Sequence, residues 1–102
     1  MNIKLVEVCI ADPYTTIDRT SGLSKYILRE IYVNPVHIVA LRPDHSMKQK
    51  LEEGRFVGEL DGRQEFTKIY VNRGQSGFDV TVVGSPDTVQ EKLAISKQLL
   101  KG

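Results

Sequence analysis

The chain has 102 residues, 40% of them hydrophobic, and its 14 Lys and Arg against 13 Asp and Glu leave a net charge of +1. That balance excludes a global electrostatic case for nucleic acid or an anionic membrane and leaves only a local patch, while the length fits a single domain over residues 1–102 with a modest core. Cys9, the one cysteine, has no intrachain disulfide partner, no apolar run approaches the ~20 residues that span a bilayer, and no basic-then-apolar leader is present, so the expectation is a cytoplasmic protein with no membrane association.

Asn2 to Ile10 reads as the first strand, with Ile3 and Leu5 opposed to Val6, Val8 and Ile10. Apolar residues on both faces towards its end predict cover on two sides or an oligomer contact. Asp12 to Gly22 is a polar loop too long for a simple hairpin, and loops of about 12 residues in small domains tend to carry function, which makes it a candidate binding segment. Lys25 to Val33 is the second strand, Asn34-Pro35 a break, and Val36 to Leu41 the third strand, ended by Arg42-Pro43-Asp44.

Ser46 to Gly54 is predicted as one or two turns of helix, with Ser46 and Gln49 in the capping-box relation and Gly54 as the stop. So short and polar an insertion is marginal alone. It either docks on the sheet or orders on a partner, which makes Met47 and Leu51 candidate partner contacts. Arg55-Phe56-Val57 is read as a short edge strand beside the turn Gly58 to Arg63.

The clearest pattern runs from Phe66 to Leu100. Thr67, Ile69 and Val71 alternate with Phe66, Lys68, Tyr70 and Asn72 in one strand; Arg73 to Gly77 supplies a turn, with Gly74 and Gly77 available for positive φ; and Phe78 to Val83 is the next strand. Ser85-Pro86-Asp87 then matches a helix start, with Ser85 as N-cap and Pro86 in the first helical position. Val89, Leu93, Ser96 and Leu100 form its apolar stripe, widened by Ile95 and Leu99. The predicted fold class is α+β: an antiparallel β-meander of four to six strands with a C-terminal helix packed on one face and a short helical insertion.

Candidate chemistry is sparse. Asp44, His45 and Ser46 hold the side-chain types of a hydrolase triad, but triads are assembled by geometry from separate elements and adjacency argues against one. Cys9 in an apolar run reads as a structural thiol and His37 as a packed or surface strand residue, and two histidines with one cysteine show no ligand spacing. The glycines at 54, 58 and 62 lack the strand, Lys and Ser/Thr of a phosphate loop. The reading is therefore a non-enzyme with no catalytic residue, metal or cofactor.

Binding features are better represented. Arg29, Tyr32, Lys68, Tyr70 and Arg73 form a basic and aromatic surface if they share the sheet face away from the terminal helix; such a surface stacks and neutralises single-stranded nucleic acid or a nucleotide. The alternative is an ordinary solvated face in which the tyrosines stiffen cross-strand pairs. A sheet covered on one side also leaves area for self-association, as a homodimer, or for another protein.

Ile31 to Leu41, then Phe66 to Val71 and Val80 to Val89, resemble the FlbD-like group of short proteins found in flagellar operons and bacteriophages, which share a strand, Val-Asn-Pro, strand, strand, strand, Ser-capped helix pattern. The likeness runs from Ile31 to about Leu93, and the first strand with its loop and the insertion from Arg42 to Arg63 depart from it. It implies a cytoplasmic, phage-encoded accessory protein that contacts and modulates or inhibits a host protein, with no catalytic residues to carry over.

Overall fold

The structure, a computed structural model, describes residues 2–11, 24–58 and 60–101, with side chains outside the description at 73 and 95–101. The predicted functional loop from Asp12 to Gly22 therefore lies outside the described residues, as does the helical stripe beyond Leu93. The elements in chain order are β1 (Ile3–Ile10), β2 (Tyr26–Val33), a 3-10 turn (Pro35–His37), β3 (Ile38–Pro43), α1 (His45–Glu52), β4 (Phe66–Arg73), β5 (Ser76–Val83) and α2 (Pro86–Lys101). This is the predicted α+β class with an antiparallel sheet.

The sheet is not one continuous meander. Its strand order is β2-β1-β5-β4-β3. β1 and β2 pair antiparallel from Ile3 opposite Val33 to Ile10 opposite Tyr26; β3, β4 and β5 form a separate antiparallel meander; the two units meet at Glu7 opposite Val82. β2 and β3, consecutive in the chain, therefore stand on opposite edges.

That topology bends the sheet. A flat sheet would separate its outer strands by four spacings of ~4.8 Å, or ~19 Å. From Val33 to Ile38 there are only five Cα steps of at most ~3.8 Å, and a 3-10 turn in the middle shortens their reach. The edges must therefore converge at this end, and Val33, Ile38 and Val71 do share one core cluster. Asn34 makes the tight crossing possible: its Oδ1 accepts the Val36 N–H at 3.0 Å, its carbonyl accepts the His37 N–H at 3.0 Å, and Pro35 is buried. β3 begins two residues later than the sequence predicts and continues through Arg42 to Pro43. Proline is tolerated there because β3 is an edge strand.

The β4–β5 connection is tighter than predicted. Arg73 pairs with Ser76, so the loop is Gly74-Gln75, and of the two glycines only Gly74 takes a positive φ, at 78°. Glycine in the first position of a two-residue loop matches the strand twist. At Gly77 the requirement is space: a Cβ would lie 3.3 Å from the Val71 carbonyl oxygen.

Two cores form, one on each face. α2 covers the aliphatic residues that strand alternation turns towards it, with Leu5, Ile69, Val71, Val80 and Val82 packed against Val89 and Leu93. Its start is as predicted, the Thr88 N–H donating to Ser85 Oγ at 3.2 Å. On the opposite face α1 seats Met47 and Leu51 against Tyr26, Phe56 and Phe66, with Val8 and Val83 beneath. β1 is thus covered on both sides, through Leu5 on one and Val8 on the other. The segment after α1 touches β2 at a single parallel bridge, Tyr26 with Phe56, in place of the predicted edge strand. The Tyr26 N–H donates to the Arg55 carbonyl and the Val57 N–H to the Tyr26 carbonyl, both at 2.8 Å.

Candidate binding surfaces

Alternation along the strands sorts the predicted binding residues. Lys68 and Tyr70 lie between Thr67, Ile69 and Val71, which point into the α2 core, and so face the other way; Tyr32, between Ile31 and Val33, does the same. Arg29 stands opposite Glu7, in the row of Leu5 and Ile31, on the α2 side of the sheet. It does not join the others. Arg73 ends β4, and its side chain lies outside the described residues.

Sequence reasoning missed Arg42. It pairs with Lys68, and its guanidinium lies 5.5 Å from the centre of the Tyr70 ring. The reading ended the third strand at Leu41, one residue too early to place Arg42 on this face. The face is mixed in sign: Asp79 stands opposite Tyr70, and Lys4 pairs with Glu30 at 3.6 Å across β1 and β2.

Met47 and Leu51 are buried beneath α1 and make no exposed contact surface. The insertion docks on the sheet because its apolar pair completes an aromatic cluster, in which the Phe56 and Phe66 rings are stacked at 5.4 Å and Tyr26 and Phe56 are tilted at 5.8 Å. Its N-cap is Asp44, where the sequence pattern predicted Ser46. Asp44 Oδ1 accepts the Met47 N–H at 2.9 Å and Oδ2 accepts the Thr81 hydroxyl at 2.6 Å, so one carboxylate both caps the helix and ties it to β5. Burial pushes this carboxyl up, but the bonds from Thr81 and Met47, with the charges of Lys68 and Lys50, outweigh it and hold the group below the ordinary aspartate value. Asp44 is thereby engaged in structural bonds, and His45 is exposed.

Cys9 is half-buried. Its thiol is pushed up, first by burial and then by a hydrogen bond to Glu7 and that carboxylate's charge, against a smaller opposing pull from Arg29. This is the reverse of nucleophile activation. Among the described residues no group of three or more His, Cys, Asp or Glu side chains could hold a metal ion, and no helix is long and apolar enough to cross a membrane.

Among the described residues the most exposed aliphatic side chains lie in the 3-10 turn and at the start of β3 that follows it. Val36 and Val39 are 68% and 66% exposed. Beside them a groove of about 260 Å³ runs between β3 and α2, lined by Pro35, Ile38, Val39, Leu41, Leu93 and Ala94. The ladder inside β3 is irregular between Ile38 and Ala40, which twists the edge there. The other edge, β2, is capped at Tyr26 by the Arg55 to Val57 segment.

No family model matches the chain, and neither a curated protein nor a solved structure matches it at a significant level.

Proposed function

We propose that this is a non-enzymatic binding protein that contacts and modulates a partner protein through the β3 edge. The observation that carries the reading is the exposure of Val36 and Val39 beside the β3–α2 groove. An edge strand offers unpaired backbone N–H and C=O groups, and a neighbouring groove accepts alternate side chains of an added strand, which is how sheets receive an extended segment. The FlbD-like resemblance extends this to a cytoplasmic, phage-encoded protein acting on a host protein; self-association through the same edge would make the partner a second copy.

The test is retention of bacterial lysate proteins by the immobilised chain, with nuclease and high salt, comparing the wild type with Val39→Asp. Val39 is exposed, so the substitution leaves the fold intact by circular dichroism. One stoichiometric protein retained by the wild type and lost from the variant supports the reading, whereas equal retention by both overturns it. Sedimentation of the purified chain identifies the self-associating case.

A second reading is favoured by the placement of the Arg42 guanidinium over Tyr70 beside Lys68, which offers two cations and a ring to a single-stranded nucleic acid or a nucleotide. With two phosphates neutralised, log affinity for a single strand would fall against log salt with a slope of about −1.4. Arg42→Ala and Lys68→Ala would abolish that binding, and a salt-independent signal would refute it.

A further inference from the structure

Where the two sheet edges converge, the fold leaves a half-open hollow of about 290 Å³, separate from the β3 groove and from the Arg42 corner. Its lining includes Tyr32, Asn34, His37, Val71 and Phe78. The volume lies just below the usual range for ligand sites. Phe78 continues the β5 row of Val80 and Val82, both buried under α2, yet is itself 53% exposed because it lies beyond the helix's cover; Tyr32 is 63% exposed. One aromatic ring is therefore left half in solvent beside a hollow of mixed polarity, which Ile31, Val33 and Val71 line from the same face, while Tyr32 borders it from between Ile31 and Val33 with its ring turned to the other face.

The polar part of the lining has a consistent character. Asn2, Asn34 and His37 bring two carboxamides and an imidazole, groups that both donate and accept. Acceptance of the Val36 N–H by Asn34 Oδ1 fixes that amide plane and leaves its NH₂ as donor. None of the described lining residues carries a fixed charge. One aromatic face, a few aliphatic side chains and mixed donor and acceptor groups suit a flat, uncharged heterocycle with hydrogen-bonding edges, and suit neither a phosphate nor an aliphatic chain.

We propose that this hollow binds a nucleobase-class heterocycle, with Phe78 supplying the ring contact and Asn34, His37 and Asn2 reading its edge. The site is independent of the β3 edge. The test is titration of the full chain with each of the four ribonucleosides, followed by calorimetry and by backbone amide shifts, on the wild type, Phe78→Leu and Val39→Asp. At least one nucleoside is expected to saturate a single site with shifts centred on Asn34, His37 and Phe78; Phe78→Leu, which keeps an apolar side chain but removes the ring, weakens binding at least about fivefold; Val39→Asp leaves it unchanged. Absence of saturable binding by all four, shifts centred elsewhere, or equal affinity in Phe78→Leu would overturn it.

Discussion

The two faces of the sheet are packed by different means. Under α2 the core is a continuous aliphatic layer contributed by four strands and a long helix, with Leu5, Ile69, Val82 and Val89 fully buried. Under α1 it is a local aromatic patch, in which Tyr26, Phe56 and Phe66 meet Met47 and Leu51 and Lys50 and Arg55 each lie 5.3 Å from the Tyr26 ring. A helix of eight residues does not hold itself together. It is kept in place by Asp44 at its start and by Lys48, whose Nζ donates to the carbonyls of Gly62 and Gln64 at 2.7 and 2.8 Å. One face therefore carries the larger continuous layer, and the other is a smaller unit attached by an aromatic patch and a few polar contacts.

The largest expected break in this comparison is Ile69→Ala. It removes three carbons from the fully buried centre of the α2 layer and should lower unfolding free energy by about 3–4 kcal/mol, read as a lower urea midpoint with unchanged slope. Leu51→Ala acts on the smaller patch, where a short helix can shift to fill the space, and is expected to cost about 2 kcal/mol. Its signature is local: amide exchange accelerates in α1 while the β4–β5 hairpin stays protected. Equal acceleration in both would show that the two faces unfold as one.

Asp44→Asn sharpens the comparison at the smallest expected effect. The amide can still cap Met47 but cannot accept from Thr81 with its nitrogen, so the loss at neutral pH should be about 1–2 kcal/mol. The pH dependence follows from the lowered carboxyl. The unfolded chain binds this proton at about pH 4, the folded chain only below that, so the stabilisation is complete above about pH 4 and disappears as pH falls through the folded-state value. Urea unfolding at stepped pH should show wild type and variant converging on acidification. A constant gap would mean that the Asp44 charge contributes nothing.

Much of the α2 side was legible. Period-two alternation in β4 and β5, with the Ser85-Pro86 start and the Val89, Leu93 spacing, identifies the strands, the helix and the face they share, because these are local properties of consecutive residues. The α1 side was legible only in part. The helix and its Gly54 stop were readable, and Gly54 does take φ of 72°, but the cap is Asp44 through its bond to Met47, and the second bond that ties this carboxylate to Thr81 joins residues 37 places apart. The candidate sites divide in the same way: alternation alone sets Lys68 with Tyr70 and parts Arg29 from Tyr32, three residues along the same strand, while Arg42 joins Lys68 and Tyr70 only across a strand pair.

What the sequence by itself determined is the five main strands and two helices, the N-cap of the long helix and the inward rows of β4 and β5, since each is a matter of residues a few places apart. The tertiary structure alone decided the strand order, the meeting of β1 with β5, the burial of Met47 and Leu51, and the convergence of edges that leaves Phe78 beside a hollow. The physical reason is that strand partners are selected by pairing between distant segments. Here a four-residue crossing between opposite edges forces a curvature that no local pattern encodes.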